Sequence, residues 1–577
     1  MGMFNGLHSL KDIYRSGYLN IKDHGFIANN RTSALVGMDG TIDWACFPNF
    51  NSMPVFDSIL DSRRGGYFMA KPTCSCQVNQ FYEEFTNILK TEFIEDNKTV
   101  LTLTDFLPVT KYSNINFPEI HRFIEAPYRD IEIKIEIKPD FNFGRDKYKI
   151  KKTRNGYLFT SKQNNLGVST DMKLSSNGNM VFNDKLLLEK GSYEWIVILN
   201  GIKRIGNVRE YRSYERLEDT LVYWKKWTDK IQYSGMYYDY VLRSALTLKG
   251  LFYEPTGMMV AAPTTSLPES IGGSRNWDYR YTWIRDTTDV IESLSMIGLK
   301  DEASKFLYDI MSVIQEDNKL DTIYPINGNG LLHEEEINFS GYQDSKPVRI
   351  GNGASGQLQI DQYGSIINAV YRFQQVGGLV TTYLWDFIID ILEKLKALWR
   401  LPDSSIWEFR SEPRQYVYSK FISCTAFHRA ILIGKKIGYS GPYREWARTM
   451  KEIRKEIFEK GYNKEVGAFT QYYGSDQVDA SLLRMPLLGF ISANDPKFVS
   501  TMELIEKNLK NSDGLFLRYL GDDGIKSKDN AFLLLSFWYI EDLIAMGRIK
   551  DAKNNLDNIL KKSNHLLLFS EEINYTD

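Results

Sequence analysis

The sequence predicts a multidomain β + α protein, with an N-terminal antiparallel β-sandwich followed by an all-α domain of paired helices. Over roughly the first 200 residues, apolar and polar side chains alternate with a period of two, and turn residues separate the runs. Near residue 215 the period changes to about 3.6 residues and keeps that value to about residue 561. We find no strand-like runs between these helices, as a parallel α/β fold would require.

The β half is clearest in the stretch DIEIKIEIKPD, residues 130–140. Its isoleucines fall on one face and its charged residues on the other, which is typical of a strand with one face in water. Asn155 and Gly156, between two strand-like runs, predict a type I′ hairpin turn. The runs TVLTLTDFLPV and YEWIVILNG predict further strands. Because each sheet has an apolar face to cover, we expect two packed sheets.

The α half begins with a charged amphipathic helix, YERLEDTLVYWKKWTDKI. We therefore predict a sandwich domain at residues 1–212, a helical linker at 213–236 and a helical domain at 237–577. Later segments place apolar residues at helical spacing, as at Leu384 and Ile388. We count about eleven helical segments, and periodicity alone fits a closed toroid and an open solenoid equally well.

Composition excludes several classes of function. The net charge is −2, from 71 basic and 73 acidic residues, so nothing favours a nucleic acid or an anionic membrane as partner. No apolar run approaches the ~18 residues that cross a bilayer, and no secretion signal is recognisable. We therefore expect a cytoplasmic protein with a small neutral partner, and the sequence leaves homo-oligomer formation open.

Cysteine and histidine usage predicts neither a disulfide scaffold nor a metal site. The four cysteines, Cys46, Cys74, Cys76 and Cys424, are few and scattered. Cys74 and Cys76 have no second Cys/His pair at zinc spacing. The HEEE run at 333–336 lacks a second histidine, so we interpret it as a solvated loop.

The stretch GGSRNWDYRYTWIRD, residues 272–286, mixes aromatic rings and fixed charges to a degree that neither a core helix nor a solvated face would show. A sugar would explain the mixture, because its C–H faces stack on aromatic rings while its hydroxyls pair with carboxylates and guanidinium groups. The alternative is a structural cluster of ion pairs and rings at a domain interface.

Hydrolysis of a sugar bond needs one carboxyl group as acid and a second one opposite it. Glu408, in the stretch IWEFR, is a candidate acid because Trp407 and Phe409 flank it, and apolar surroundings favour the protonated form of a carboxyl. Near the C-terminus, Glu571 and Glu572 follow an apolar run in HLLLFSEEINYTD. By composition alone those two residues would belong to a frayed acidic tail.

The chain resembles glycoside hydrolase family 15, the glucoamylase, glucodextranase and trehalase family, in its prokaryotic two-domain form. The resemblance begins at DHGFIANNRTSALVGMDGTIDWACFPNFNSMPVFDSILD, residues 23–61. It continues, in order, through RNWDYRYTWIRD, PVRIGNGASGQLQIDQYG, WEFRSEPRQYVYSK, YGSDQVDASLL and LFSEE. It implies that the helical domain is an (α/α)6 barrel.

The resemblance also implies an inverting mechanism that needs no cofactor. Glu408 corresponds to the general acid of the family and Glu571 to its general base. The residues that would bind and enclose one terminal glucose are Arg285, Asp286, Trp283 and Trp407.

Two features depart from the family pattern. The family continues past the base with a turn and a final helix, whereas this sequence stops at Asp577. In KSKDNAFLLLSFW, Asp529 and Asn530 stand where the family usually has a glutamate before Ala-Phe. Because that loop lies near a second sugar subsite in the family, the change bears on the choice of substrate.

We expect an exo-acting α-glucoside hydrolase that releases glucose. The glucose-binding residues do not distinguish substrates, so the argument rests on location: a cytoplasmic enzyme meets small soluble glucosides, which places α,α-trehalose first and maltooligosaccharides second. A non-catalytic carbohydrate-binding protein on the same scaffold is a third hypothesis. The presence of both Glu408 and Glu571 argues against it.

Overall fold

The computed structural model describes most of the chain. The described residues are 8–10, 13–109, 117–317, 320–328, 332–525, 527 and 529–575. Residues 1–7 and the last two residues lie outside them, so the expectation about a secretion signal falls partly on residues that are not described.

The N-terminal half consists of short and medium strands. They are His8–Ser9 (β1), Tyr14–Arg15 (β2), Tyr18–Leu19 (β3), His24–Ala28 (β4), Ser33–Gly37 (β5), Ile42–Cys46 (β6), Pro54–Phe56 (β7), Tyr67–Pro72 (β8), Gln77–Tyr82 (β9), Leu89–Glu95 (β10), Lys98–Phe106 (β11), Glu119–Glu125 (β12), Ile131–Lys138 (β13), Lys149–Thr153 (β14), Gly156–Thr160 (β15), Asn165–Ser169 (β16), Ser175–Ser176 (β17), Val181–Leu188 (β18) and Tyr193–Asn200 (β19).

Two large antiparallel sheets pack their apolar faces together. One sheet has the order β1-β9-β10-β11-β12-β19-β16-β15-β14, and the other runs β17-β18-β13-β8-β6-β5-β4 with β7 beside β6. In β13 the isoleucines are buried while Glu132 is exposed, as the alternation predicts. The core between the sheets is made almost entirely of aliphatic and Phe side chains. The predicted antiparallel sandwich is therefore present.

The hairpin predicted at Asn155 and Gly156 forms one residue earlier than expected. Thr153 pairs with Gly156, so the two-residue turn is Arg154 and Asn155, and Gly156 opens β15 with φ 140°. The predicted type I′ turn on Asn-Gly is wrong. A Cβ on Gly156 would lie 1.9 Å from the carbonyl oxygen of Val168 on the next strand. The glycine is thus required by close strand packing rather than by the turn.

Helices dominate the rest of the chain. They are Ser213–Thr228 (α1), Tyr238–Gly250 (α2), Ile284–Met296 (α3), Lys300–Asp317 (α4), Asp361–Gln375 (α5), Thr382–Leu398 (α6), Val417–Ile437 (α7), Tyr443–Glu456 (α8), Arg484–Leu487 (α9), Pro496–Leu509 (α10), Leu533–Ala545 (α11) and Ile549–Leu560 (α12). Short 3-10 helices occur at Ile21–Asp23, Val208–Tyr211, Tyr342–Asp344, Gly353–Gly356 and Ala480–Leu483, and a π-helical turn at Ile457–Gly461.

Two-stranded sheets connect the helices. They pair Phe252–Tyr253 (β20) with Met258–Met259 (β21), Thr282–Trp283 (β22) with Ile323–Tyr324 (β23), Glu335–Ile337 (β24) with Val348–Ile350 (β25), Tyr462–Asn463 (β26) with Ala468–Phe469 (β27), and Ala531–Phe532 (β28) with Glu572–Ile573 (β29).

Helix α1 lies in the predicted linker, and within the described residues eleven further helices, α2 to α12, follow it. Trp224 and Trp227 of α1 are buried in the core of the helical domain. The sandwich contacts this domain directly, because Asn30 and Asn87 donate to backbone carbonyls of α2. The exact domain boundaries at residues 212 and 236 stay predictions.

Three observations concern the expectations about membrane spans, disulfide bonds and the HEEE run. No helix within the described residues has the length and apolar composition needed to cross a bilayer. The four cysteines are all free thiols. The HEEE run is not a plain solvated loop, because part of it forms β24 and its acids pair with arginines: Glu334 lies 3.3 Å from Arg349, and Glu335 lies 2.8 Å from Arg145.

Candidate active site

A pocket opens at the ends of the barrel helices, where the loops before α3, α7 and α11 meet. It encloses about 890 Å³ of free space, which includes its open mouth. Every residue that the sequence proposed for the site lines it: Trp283, Arg285, Asp286, Trp407, Glu408 and Glu571. The roles of these residues stay predictions, but their proximity is a property of the fold.

Trp283 stands at the junction of β22 and α3 and is 4% exposed. Its ring packs against Tyr279 at 5.7 Å between centroids. Its indole Nε1 donates a hydrogen bond of 2.8 Å to Oε1 of Glu408. Trp283 therefore holds the candidate acid in place as well as forming a wall of the pocket.

Glu408 adopts a backbone conformation that a non-glycine residue rarely occupies, with φ 58°. Such left-handed conformations cost about 1 kcal/mol or more and persist where surrounding contacts enforce them. Here the Gln357 amide donates to the backbone carbonyls of Glu408 and Phe409 at 3.3 and 3.2 Å. The strained turn directs the Glu408 side chain into the pocket.

The surroundings of Glu408 are more polar than its sequence neighbours indicated. Phe409 turns away and stacks on Tyr416 at 5.1 Å. The Glu408 carboxylate instead contacts the Trp283 N–H and lies 3.5 Å from Nη2 of Arg285. The expected apolar enclosure of Glu408 is therefore wrong. Both contacts engage Oε1, which leaves Oε2 free of them.

Arg285 and Asp286 lie in the first turn of α3. Arg285 donates to the Ile406 carbonyl at 2.9 Å and faces Glu408 and Asp286. Although burial opposes its charge, Asp286, Glu408 and Asp361 raise the pKa of Arg285, which stays a cation. Burial raises the pKa of Asp286, with Arg285 acting against it.

The Asp286 side chain is 37% exposed, although its oxygen Oδ2 is buried and faces Nη2 of Arg285 at 3.9 Å. Since Asp286 lines the pocket, a sugar hydroxyl would be a suitable donor.

Trp407 is fixed by an aspartate that the sequence analysis did not select. Its Nε1 donates to both Asp479 oxygens, at 2.9 and 3.1 Å, and its ring meets Phe532 edge-on at 5.8 Å. Asp479 also caps the 3-10 helix Ala480–Leu483 by accepting from Ser481 N. The signal in the sequence was an Asp directly before the ASLL run, a typical N-cap position.

Glu571 belongs to an ordered segment and not to a frayed tail. Its carbonyl accepts from Leu533 N at 2.9 Å, and the next residues form β29, in which Glu572 pairs with Phe532 and Ile573 with Ala531. Strand alternation then places Glu571 in the pocket lining, while the Glu572 side chain is 8% exposed and faces Arg518 at 3.4 Å.

Charges around the pocket control the ionisation of Glu571. Its side chain is open to the pocket, yet the enclosing protein removes bulk water, and this desolvation raises its pKa to about 8. Glu269 and Asp286 add to the rise because they carry like charge, whereas Arg518 and Arg285 oppose it.

Arg518 is the centre of a carboxylate cluster beside Glu571. Its guanidinium lies 2.7 Å from Glu269, donates to Asp529 through Nε at 3.0 Å and lies 3.4 Å from Glu572. Three acids facing one cation leave an excess of negative charge. Burial and these neighbouring carboxylates raise the pKa of Glu572 well above its usual value, while Arg518 lowers it.

The departure from the family pattern at Asp529 and Asn530 falls in this cluster. Asp529 pairs with Arg518, and the Asn530 amide donates to the Glu269 carbonyl at 2.8 Å. Asn530 Oδ1 also accepts from Tyr575 N. The neighbours Lys526 and Lys528 lie outside the described residues. Asn530 thus connects Glu269, in the wall of the pocket, with Tyr575 near the C-terminus.

Glu269 and Arg518 were missed by the sequence analysis. They stand singly, in LPES and FLRYL, and neither stretch carries a spacing that indicates chemistry. Both line the pocket, together with Trp277 and Arg410. Only the fold brings these separate loops together.

The Glu269→Gln variant tests the electrostatics of Glu571. Removing the negative charge lowers the pKa of Glu571, and it frees Arg518 to act in the same direction. If Glu571 is the base, kcat/KM falls at low pH as Glu571 gains its proton, so the acidic limb of the profile should move to lower pH by about one unit. The exposed Glu465→Gln is the control. A shift of the alkaline limb, or no shift, would contradict the base assignment.

Two carboxylates, an Arg-Asp pair and indole rings in one pocket of a helical domain define the class of a glycoside hydrolase. Residues 235–570 match glycosyl hydrolases family 15, and residues 15–178 match the trehalase-like N-terminal domain. The chain belongs to glycosyl hydrolase family 15.

Known proteins extend this similarity over the whole chain. A trehalase from Thermoplasma volcanium is 52% identical, covering 99% of this chain and 92% of its own. A trehalase from Thermoplasma acidophilum is 52% identical over 93% of each chain. A bacterial glucoamylase solved with acarbose has a TM-score of 0.72 at 14% identity, covering 100% of this chain and 92% of that one. The predicted fold, a β-sandwich followed by an (α/α)6 barrel, is confirmed.

Proposed function

We propose that this protein hydrolyses α,α-trehalose to two molecules of glucose, with inversion at the attacked carbon. The observation that carries the proposal is the meeting of Glu408 and Glu571 in one pocket with the Arg285-Asp286 pair. The two relatives at 52% identity, both named trehalase, support trehalose as the substrate.

In the proposed reaction Glu408 is the general acid. Oε1 is held by Trp283 and faces Arg285, so Oε2 would give its proton to the glycosidic oxygen as the C1–O bond breaks. Glu571 would take a proton from water as the water oxygen bonds to C1 on the opposite face. Arg285 and Asp286 would hold hydroxyls of the attacked glucose, and the rings of Trp283 and Trp407 would enclose it.

The raised pKa of Glu571 favours a second assignment, in which Glu408 and Glu571 exchange the roles of acid and base. A carboxyl that keeps its proton to about pH 8 suits a general acid. In that arrangement Glu571 would protonate the leaving oxygen and Glu408 would activate the water. α-Glucosyl fluoride separates the two assignments, because fluoride leaves without protonation and needs only the base.

Trehalose and maltooligosaccharides are separated by kinetics. We expect kcat/KM to be higher for trehalose than for maltose and maltotriose. The likeness to a bacterial glucoamylase reflects the fold and not the substrate. Faster hydrolysis of maltose or maltotriose would replace the proposal with a glucoamylase activity. Sugar binding without any sugar release would leave a carbohydrate-binding protein.

Arg285→Lys should lower kcat/KM on trehalose by about 10- to 100-fold, the cost of about 1.5–3 kcal/mol for a lost charged hydrogen bond. The planar guanidinium donates to the Ile406 carbonyl and at the same time faces Glu408 and Asp286. A lysine ammonium group cannot reach the carbonyl and both carboxylates together. Arg400→Lys, at an exposed ion pair, is the matched control. Unchanged kinetics in Arg285→Lys would show that this residue has only a structural role.

The proposed partner is a neutral disaccharide, with neither nucleic acid nor membrane involved, and we propose a cytoplasmic location. Four free thiols support a reducing compartment. The near balance of charges offers no polyanion site.

A further inference from the structure

A compact turn at residues 564–568, here named the docking turn, follows α12. The backbone of Asn564 donates to the Leu568 carbonyl at 2.8 Å. The Asn564 side chain closes the same turn, since its Oδ1 accepts from Leu566 N and Leu568 N at 2.9 and 3.0 Å. Leu567 has a left-handed backbone conformation, with φ 60°, where the chain reverses direction. One asparagine thus organises the whole turn.

The docking turn contacts the β-sandwich, although Leu568 also packs against the core of the helical domain. The Asn564 amide donates to the carbonyls of Lys22 and His24 at 3.0 and 3.1 Å. Leu566 is 5% exposed and belongs to the core of the sandwich. A Cβ on Gly25 of β4 would lie 2.5 Å from Leu89 Cδ2 and 3.0 Å from Leu566 Cδ1, so the glycine leaves a notch that both leucines fill.

A polar contact adds to this attachment. His565 Nε2 lies 3.0 Å from Oε1 of Gln80 on β9. The Gln80 amide itself donates to the Gly37 carbonyl and to Thr91 Oγ1, so it is fixed within the sandwich. Three consecutive residues, 564–566, therefore contact the N-terminal domain.

Only a few residues of chain connect the docking turn with the pocket. Phe569 packs against Tyr240 of α2 and Phe537 of α11, at 6.1 and 6.2 Å between ring centroids. Glu571 follows, only five residues after Leu566, which limits their separation to about 17 Å even for an extended chain. The docking turn and Glu571 are therefore joined by a short segment, in which Phe569 contacts the helical domain.

We propose that the N-terminal sandwich is a positioning part of the active site, in which Asn564 and Leu566 fix the docking turn and thereby place Glu571. The inference rests on the proposed function, since it takes Glu571 to be a reacting carboxylate. Arg285 and Asp286 stand on a helix of the barrel. Glu571 instead follows the last described helix, and the turn that precedes it is held by the other domain.

The test uses the full chain with Asn564→Ala and Leu566→Ala. We expect kcat on trehalose to fall by about 10- to 100-fold, the effect of about 1 Å of misplacement, while KM changes by less than about threefold. Both variants should copy the pattern of Glu571→Gln on trehalose and α-glucosyl fluoride, whichever assignment holds. Competitive inhibition by glucose should stay unchanged, because it depends on Arg285 and Asp286.

Matched variants separate positioning from loss of fold. Asn554→Ala, at an exposed position of α12, should leave kcat unchanged. Leu566→Met keeps the volume and should restore activity, and Leu566→Val covers the case in which Leu566→Ala does not fold. Thermal unfolding of each variant shows the folded fraction.

Each result decides one question. Normal kcat in folded Asn564→Ala and Leu566→Val, together with an inactive Glu571→Gln, would overturn the positioning role and leave the proposed function intact. A loss of activity that follows only the unfolded fraction would also overturn it. Near-normal activity of Glu571→Gln would overturn the proposed function itself.

Discussion

Glu408→Gln should lower kcat on trehalose by about 10²- to 10⁴-fold, the contribution typical of general acid catalysis. Glutamine has nearly the same shape, and its amide oxygen can still accept from Trp283, so the strained turn should persist. The amide has no proton to give to the leaving oxygen. The measurement is steady-state kinetics on trehalose and α-glucosyl fluoride, and we expect activity on the fluoride to be largely retained.

Glu412→Gln is the control for this change, because Glu412 is exposed on the same loop. It should behave as the wild type on both substrates. Near-normal trehalose hydrolysis by Glu408→Gln would exclude Glu408 as the acid. An equal loss on both substrates would instead identify Glu408 as the base.

Glu571→Gln should be the second severe variant, with kcat reduced by about 10²- to 10⁴-fold on trehalose and on α-glucosyl fluoride alike. Both substrates need an activated water, and the Glu571 carboxylate is the candidate that the pocket presents for this step. The fold should be unaffected, since the carbonyl and not the side chain of Glu571 bonds Leu533.

Glu572→Gln is the neighbouring control and should be mild. The Glu572 side chain faces Arg518 while Glu571 lines the pocket, and burial raises the pKa of Glu572, which favours its neutral form; glutamine resembles that form in shape. If Glu572→Gln proves the more damaging variant, the base lies one residue later than we propose. If Glu571→Gln spares the fluoride, the two glutamates exchange roles.

Much of the fold follows from local pattern. Alternation identified β13, and helical spacing identified the buried face of α6, because packing against a core leaves a period in the sequence. The hairpin at Gly156 was misplaced by one residue, since a glycine required by a neighbouring strand resembles one required by a turn. Closure of the helices into a barrel came from the family resemblance, because periodicity describes each helix alone.

The active site, too, could be predicted only where its residues lie close together in sequence. Trp283, Arg285 and Asp286 are consecutive enough to form a recognisable stretch, so the sequence could locate them. Glu269 and Arg518 meet only across 249 residues of chain. The docking turn was also missed, because Asn564 precedes an apolar run that reads as an ordinary tail. The attachment of the turn depends on the space beside Gly25 in the N-terminal domain.

The central claim is inverting hydrolysis of trehalose in this pocket, and time-resolved proton NMR of the sugars released tests it most directly. Trehalose joins two α-anomeric carbons, so inversion should first give β-glucose from the attacked ring and α-glucose from the leaving ring in equal amounts, before mutarotation mixes them. Initial release of α-glucose alone, or hydrolysis of maltose with trehalose left intact, would contradict the account.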